Sequence, residues 1–331
     1  MGKWLDGVMG AVVGDALGVP VEFNSREALR KSPVVDMMGY GTYDQPPGTW
    51  SDDSSMILAT LASLQKGYDP EDMMKRFANW MVHGQYTPYG EAFDVGNGTK
   101  NAIVRYLMDG NSEHCGGDAV WENGNGSLMR ILPAALYCVE RAHDYHITWE
   151  MAFRLIHRVS GLTHRHLRSQ IACGIYMMIC NRLLFTDLEL KHSIMLGVND
   201  AFLFYEKLET NAKELSFYHR LKDVESFAAL PETSIKSSGY VVDTLEAALW
   251  CLLNTSSYEE CVLKAVNLGE DTDTVASIAG GLAGLYYGYD QIPEAWKCQI
   301  PRRDWIEKMC HDMEDQGVCG EDCFLLCDML R

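Results

Sequence analysis

Two segments of the sequence place acidic and hydroxyl side chains together directly before an apolar run, a pattern that could bind a metal ion. The more pronounced segment is 268–280, where an Asp-Thr-Asp-Thr motif occupies positions 271–274. The run that follows, 275–287, has no charge and no proline and predicts a buried helix. Carboxylates and hydroxyls are favoured caps at a helix N-terminus, where the helix dipole stabilises negative charge. One cap needs one side chain, so the excess oxygens indicate a hard metal ion as the alternative to a plain cap.

A second cluster, Ser-Asp-Asp-Ser at residues 51–54, precedes another predicted helix at about 54–65. Helix capping explains either cluster taken alone. Two clusters of the same kind, far apart in the sequence, are harder to explain in that way. Together they offer four carboxylates and several hydroxyls. This set suits two hard divalent cations bridged by carboxylates.

Two glycine-containing loops could let the backbone approach a ligand closely. In the first loop, Asp94 precedes Gly96 and Gly98, although such a segment by itself is typical of an Asx turn before a helix. In the second, Gly124 and Gly126 precede a predicted helix start, where backbone N–H groups and the helix dipole could cradle a phosphate. No Gly-Lys-Ser/Thr follows and no strand precedes this loop, which argues against a Walker loop and a Rossmann turn.

Two predicted helices carry small residues at four-residue spacing, and these helices must position the acidic groups. The first covers about residues 4–17, and the second is the run after the Asp-Thr-Asp-Thr motif. A glycine inside a helix costs about 1 kcal/mol relative to alanine, so close packing against another element must compensate. Each row of small residues forms a ridge that a neighbouring helix can approach. The ridges are Gly10, Gly14 and Gly18 in the first helix and Ala276, Gly280 and Gly284 in the second.

Several polar residues stand at breaks between helices. Asp15 and Glu22 lie on either side of Pro20, which ends the first helix. A solvated loop acid is the ordinary expectation for Glu22, and an acid that points into a cleft is the alternative. His164 lies in a loop between two helical stretches, a position that is typical of a surface residue.

The overall pattern predicts an all-α fold with one domain over residues 1–331. Strand signals are few, and no repeat of 20 to 50 residues is present. Residues 24–50, with several glycines and prolines, predict a long irregular loop of the kind that is often functional. Residues 185–240 are more polar and predict two amphipathic helices.

Composition limits the classes of function. The formal net charge of −18 argues against nucleic-acid binding through a broad basic surface. No uncharged apolar run of about 18 residues occurs, so no membrane span is expected. The 11 cysteines contain no Cys-x-x-Cys pair, which is typical of a reduced, cytoplasmic protein. Cys319, Cys323 and Cys327, four residues apart, predict buried free thiols on a C-terminal helix.

Six segments, in this order, resemble the motifs of the ADP-ribosylglycohydrolases of the dinitrogenase-reductase-activating glycohydrolase type. The resemblance covers most of the chain and is weakest at about 185–240. The segments are the glycine-rich helix and acid at 10–22, Ser-Asp-Asp-Ser at 51–54, Asp-Val-Gly-Asn-Gly-Thr at 94–99, Asn-Gly-Asn-Gly-Ser-Leu-Met-Arg at 123–130, Leu-Thr-His at 162–164 and Gly-Glu-Asp-Thr-Asp-Thr at 269–274.

The resemblance implies an orthogonal helical bundle with two magnesium or manganese ions. It also implies hydrolysis of the glycosidic bond at ribose C1 of an ADP-ribosylated protein, above all one modified on arginine, or of a small-molecule ADP-ribose conjugate. The implied metal ligands are Ser51, Asp52, Asp53, Asp271, Asp273 and Thr274. The implied catalytic acids are Glu22, Asp53 and Asp94, with the choice of general base left open. The implied substrate-binding residues are Gly96 and Thr99, with Asp94, at the ribose, and Asn123, Gly124, Asn125, Gly126, Ser127 and His164 at the diphosphate and distal ribose.

Two departures from the family pattern bear on these expectations. Ser51 and Ser54 stand where threonines are usual, which keeps the hydroxyls but with a looser rotamer. Glu270 stands where glycine is common and adds a charge beside the site. A non-catalytic ADP-ribose sensor or structural protein on the same fold, and a metal-dependent phosphohydrolase of nucleotide diphosphates, remain as alternatives. The phosphohydrolase would release AMP and ribose phosphate rather than intact ADP-ribose.

Overall fold

The computed structural model describes residues 2–144, 146–207 and 209–315. Within these ranges the chain is helical and has no β-strand, only isolated bridges, so the prediction of an all-α fold is confirmed. Cys319, Cys323 and Cys327 lie outside the described residues. The described helices are α1 (Lys3–Gly18), α2 (Arg26–Lys31), α3 (Asp52–Leu64), α4 (Pro70–His83), α5 (Asn97–Asp109), α6 (Leu132–His143), α7 (Trp149–Gly161), α8 (Leu167–Phe185), α9 (Leu190–Tyr205), α10 (Ala212–Leu215), α11 (Val224–Ala228), α12 (Val241–Leu253), α13 (Tyr258–Val266), α14 (Thr272–Tyr287), α15 (Glu294–Lys297) and α16 (Arg303–Asp315).

The two small-residue ridges pack against each other, so that α1 and α14 touch through their backbones. A Cβ atom added to Gly14 would lie 2.2 Å from the carbonyl oxygen of Ala276, and one added to Gly10 would lie 2.4 Å from that of Gly280. Real Cβ atoms do not approach a backbone oxygen so closely, so only glycine fits at these positions. This contact brings the C-terminal end of α1 beside the N-terminal end of α14.

Helix α1 is buried on all sides. Its segment Lys3–Val21 is long and apolar enough, by length and composition, to cross a membrane, but 94% of that window is buried inside the protein. The helix packs against α14 and also contacts α3, α13 and α16. Its apolar surface is therefore accounted for by the core.

Residues 24–50, which the sequence predicts to be irregular, contain more structure than expected. Helix α2 begins after Ser25, whose hydroxyl accepts a hydrogen bond from the backbone N–H of Ala28. A short 3-10 turn follows at Gly41–Tyr43. The prediction was wrong here because the glycines and prolines obscured a short capped helix.

Two further boundaries differ from the prediction. The second glycine loop does not lead directly into a helix, because residues 126–130 form turns and α6 begins only at Leu132. The region 185–240 holds one long helix, α9, followed by short helices and 3-10 turns rather than two amphipathic helices. A buried ion pair between Arg168 of α8 and Glu214 (2.8 Å) anchors this region to the core.

Candidate functional site

The two acidic clusters meet where α1, α3 and α14 come together. Carboxylate oxygens of Asp15, Asp53 and Asp273 lie within 4.8 Å of one another, and all three side chains are buried. The hydroxyl of Thr274 donates a hydrogen bond to Asp53 Oδ2 at 3.1 Å, which links the two clusters directly. The glycine packing between α1 and α14 produces this convergence, since it places the first turn of α14 against the end of α1.

Asp15 connects α1 to the start of α3, a role that the sequence analysis missed. Its carboxylate accepts hydrogen bonds from the backbone N–H groups of Ser51 (3.0 Å) and Ser54 (3.0 Å) and from the Ser54 hydroxyl (2.6 Å). These bonds satisfy free donors at the helix N-terminus. Burial raises the pKa of Asp15 to about 6. The sequence did contain a signal for this role. Asp15 directly follows the ridge residue Gly14, on a helix that the small-residue pattern predicts to be tightly packed.

A second acidic group adjoins the first and shares Asp273 with it. Carboxylate oxygens of Glu22, Asp94 and Asp273 also lie within 4.8 Å of one another. The hydroxyl of Tyr43 lies 2.7 Å from Glu22 Oε2 and 2.5 Å from Asp94 Oδ1. A phenol has a single proton to donate, so both contacts are hydrogen bonds only if one carboxyl group carries a proton. Burial, followed by the charge of Asp94, raises the pKa of Glu22 to about 9. Glu22 is thus a buried acid and not a solvated one.

The buried oxygens of the site fit a hard cation. Asp53 Oδ1 and Asp273 Oδ2 are buried and have no hydrogen-bond partner among the described residues. Buried carboxylate oxygens without partners are unfavourable, and burial raises the pKa of both groups well above the usual range. A divalent cation would satisfy these oxygens and offset the repulsion between the carboxylates. The acidic residues present here could therefore hold metal ions.

The carboxylates of Asp15, Asp53 and Asp273 form an acidic floor, and a cavity of about 370 Å³ lies beside it. The two glycine loops and the start of α14 contribute to its wall. The predicted site residues among its walls are Glu22, Asp52, Asp94, Gly96, Thr99, Gly124, Asn125, Gly126, His164, Asp271 and Thr274. Asn125 also ties the second loop to the acids, since its Nδ2 donates to Asp271 Oδ2 at 2.7 Å.

Five predicted site residues do not line this cavity. Asp53 and Asp273 belong to the acidic floor, and Ser51 is buried as well. The side chain of Asn123 is buried, where its Oδ1 accepts from Ser169 and its Nδ2 donates to the carbonyl of Val120. Ser127 is also buried, and its hydroxyl accepts a hydrogen bond from Ser160. These contacts hold the second glycine loop in shape.

His164 is buried and lines the cavity, so the ordinary expectation of a surface histidine in such a loop does not hold. Its Nδ1 lies 2.8 Å from the hydroxyl of Thr163, and burial, assisted by the charge of Arg130, lowers the pKa of the ring to about 3. The imidazole is therefore neutral near pH 7. The ring closes against the glycine loops, because a Cβ on Gly98 or on Gly126 would lie 2.8 Å from a ring atom.

Comparison with known proteins agrees with this geometry. A model of the family ADP-ribosylglycohydrolase matches residues 2–321. An ADP-ribosylarginine hydrolase, Tri1, of Pseudomonas putida (strain GB-1) is 30% identical over 315 residues, which cover 94% of this chain and 77% of that protein. An ADP-ribosyl-(dinitrogen reductase) glycohydrolase of Rhodospirillum rubrum is 32% identical over 302 residues, which cover 89% of each chain.

More distant relatives show the same likeness. The ADP-ribosylhydrolase ARH3 of Mus musculus is 24% identical over 94% of this chain and 88% of that protein. A solved structure described as an ADP-ribosylglycohydrolase-related protein complex superposes with a TM-score of 0.74 at 29% identity, covering 94% of this chain and 96% of the other. The family pattern matches nearly the whole length of this chain, and its acidic motifs meet at one site. This chain belongs to the ADP-ribosylglycohydrolase family, whose members are glycosidases.

Proposed function

We propose that this enzyme hydrolyses the glycosidic bond between ribose C1 and an arginine side chain of an ADP-ribosylated protein, and releases ADP-ribose. The observation that carries the proposal is the convergence of acids from α1, α3 and α14 beneath a cavity whose wall is formed by two glycine loops. Relatives named for arginine-linked and dinitrogen-reductase-linked ADP-ribose support this choice of substrate.

The acidic floor is proposed to hold two divalent cations, magnesium or manganese. The ligands would be Ser51, Asp52, Asp53, Asp271, Asp273 and Thr274, with Glu22 or Asp15 completing the set. When bound, such ions stabilise charge that develops on oxygen and fix the position of a coordinated group. Asp273 is the residue that both acidic groups share.

Proton transfer is assigned to Glu22 and Asp94, and Tyr43 is assigned the positioning of these two carboxyl groups. Cleavage at C1 passes through an oxocarbenium-like state, in which the departing nitrogen needs a proton and the attacking water must lose one. Glu22 and Asp94 lie on the cavity wall, and the Tyr43 hydroxyl holds both carboxyl groups in place. One carboxyl group that carries a proton and one that does not can serve as the acid and the base of the reaction.

Tyr43→Phe is expected to lower kcat/KM by about 10- to 100-fold, the usual effect of losing a group that orients a catalytic residue. The ring of Tyr43 would remain, so the free energy of unfolding should change by no more than about 1–2 kcal/mol. Steady-state kinetics on ADP-ribosyl-arginine over a range of pH would measure both the loss and a shift of the pH profile. Tyr89→Phe, at an exposed tyrosine outside the cavity, serves as the control. An unchanged pH profile in Tyr43→Phe would contradict the assignment.

Metal removal is expected to destabilise the protein more at high pH than at low pH. The raised pKa values of Asp15 and Glu22, about 6 and about 9, mean that the folded metal-free protein keeps protons that the unfolded chain releases. Stability of the metal-free form therefore falls as pH rises from about 4 towards 9. A cation at about 100 times its Kd restores roughly 2.7 kcal/mol, or about 4 °C in Tm.

Thermal unfolding with EDTA or with manganese, measured from pH 5 to pH 9, would check this expectation. The increase in Tm on adding metal should grow with pH, because protons compete with the cation for the same oxygens. An increase that is the same at pH 5 and pH 8 would contradict it.

The reaction itself is tested by identifying the products. The protein is incubated with arginine-linked and serine-linked ADP-ribosyl substrates in the presence of magnesium or manganese. The products are then separated and identified by mass spectrometry. Intact ADP-ribose with free arginine is the expected result. AMP with ribose phosphate would identify a phosphohydrolase instead, and no product with tight ADP-ribose binding would identify a sensor.

A further inference from the structure

Three aromatic rings form a row that begins at the acidic cavity, where Phe23 is one of the lining residues. The rings of Phe23 and Tyr43 are 6.4 Å apart between centroids, and those of Tyr43 and Phe93 are 5.0 Å apart. Phe23 lines the cavity yet remains 67% exposed. The hydroxyl of the central ring, Tyr43, contacts the carboxyl groups of Glu22 and Asp94. Tyr43 therefore contacts the exposed ring of Phe23 on one side and, through its hydroxyl, the proposed proton-transfer groups Glu22 and Asp94.

Phe23 is held in a backbone conformation that a bulky residue rarely adopts. Its φ is +65°, in the left-handed region, where such side chains are strained. Its backbone N–H donates to the carbonyl of Glu270 at 2.7 Å, and the N–H of Glu270, itself at φ +64°, donates to the carbonyl of Asn24 at 2.8 Å. An exposed ring contributes little to the core, so packing does not explain a strained aromatic at this position.

The cavity carries more negative charge than two metal ions would neutralise. Two divalent cations bring four positive charges, and none of the cavity-lining residues within the described ranges is a lysine or arginine. The seven carboxyl groups in the cavity and its floor are those of Asp15, Glu22, Asp52, Asp53, Asp94, Asp271 and Asp273. One proton shared within the Glu22–Asp94 pair still leaves more carboxylate charges than two divalent cations balance. The excess favours a cationic group over a neutral one as the occupant of the mouth.

We propose that Phe23, backed by Tyr43 and Phe93, binds the guanidinium of the arginine side chain that leaves in the reaction, and so selects arginine linkages over hydroxyl linkages. A guanidinium is planar and stacks on aromatic faces, and a ring next to carboxylates attracts it further. A serine hydroxyl has neither the charge nor the flat surface for this contact. The inference rests on the proposed glycohydrolase function and adds the residue that recognises the leaving group.

The test compares Phe23→Leu and Phe23→Tyr with the unaltered enzyme on an arginine-linked and a serine-linked ADP-ribosyl peptide. Phe23→Leu should lower kcat/KM for the arginine linkage by about 10-fold, between the values of an exposed and a desolvated cation–π contact, and leave the serine linkage within about twofold. Phe23→Tyr keeps the aromatic face and should retain the arginine activity. Free agmatine, a guanidinium probe, should inhibit the unaltered enzyme and Phe23→Tyr but inhibit Phe23→Leu about 10-fold less.

The controls separate recognition from folding. Because Phe23 is exposed, its substitution should leave Tm nearly unchanged, and Tyr89→Leu, at an exposed aromatic outside the cavity, should leave both activities unchanged. Equal losses on both linkages, or no loss in Phe23→Leu, would overturn this inference while the glycohydrolase function stands. An unaltered enzyme that cleaves neither linkage would overturn the proposed function, and this inference with it.

Discussion

Asp273→Asn is expected to abolish both metal binding and turnover. Asp273 is the residue that belongs to both acidic groups, and one of its buried oxygens lacks a hydrogen-bond partner among the described residues. Asparagine keeps the shape but removes the charge that a divalent cation needs. The expected loss in kcat/KM is on the order of 10³-fold or more, as for the removal of a group that acts as part of a catalytic unit.

The metal-free form of Asp273→Asn should be at least as stable as the metal-free parent at pH 8, because the substitution removes one charge from a set of buried carboxylates that repel one another. Adding manganese should then raise Tm in the parent and not in the variant. Asp290→Asn, which removes an exposed acid outside the cavity, should behave like the parent in both measurements. A fully active Asp273→Asn, or one whose Tm still rises with manganese, would show that this acid is not a metal ligand.

Gly14→Ala is expected to disturb the fold and the site together. The added methyl carbon would lie 2.2 Å from the carbonyl oxygen and 2.7 Å from the carbonyl carbon of Ala276. These are backbone atoms that cannot rotate away, so α1 and α14 must separate. Overpacking of this kind costs about 1–3 kcal/mol. Since Asp15 and Asp273 lie on these two helices, a shift of about 1 Å should also lower kcat/KM by about 10²-fold.

Gly7→Ala on the same helix is the matched control. Its methyl group would meet side-chain atoms alone, namely Leu285 Cδ2 at 2.9 Å, Leu285 Cγ at 3.2 Å and Leu132 Cδ1 at 3.4 Å, and the nearest of these is the end of a flexible side chain. Alanine is favoured over glycine in a helix by up to about 1 kcal/mol, so Gly7→Ala should be neutral or slightly stabilising and fully active. Denaturant unfolding and steady-state kinetics on both variants would check this. If Gly14→Ala proved as stable and active as Gly7→Ala, the two helices would not be in backbone contact.

The helices and the motif set were accessible from the sequence because they depend on local chemistry. The apolar run after residue 274 and the small-residue ridges act within a few turns of one helix, and α1 and α14 occur where these patterns predict them. Short elements were harder to predict. Helix α2 depends on one serine cap within a glycine- and proline-rich segment. Helix α6 begins later than predicted, because the second glycine loop is followed by turns before the helix starts.

The sequence could not show which residues join the acidic clusters from elsewhere. Tyr43 lies in a segment with no periodic pattern, and nothing near it in the sequence indicates that its hydroxyl would reach Glu22 and Asp94. His164 lies between two helices in the sequence, and only the packing of the glycine loops against its ring makes it buried. Glu270 stands where glycine is common in the family pattern, and its side chain is exposed. Its backbone lies in the left-handed region, which glycine adopts without strain, and this explains why glycine suits the position.

The sequence by itself determined the helical class, the two small-residue ridges and the family motifs, because each depends on residues that are close together in the chain. Only the tertiary structure decided that the two ridges face each other and that Asp15 joins Asp53 and Asp273 within 4.8 Å. The physical reason is that a ridge of glycines favours close approach without choosing a partner. The partner is chosen by the packing of the whole core, which no local pattern encodes.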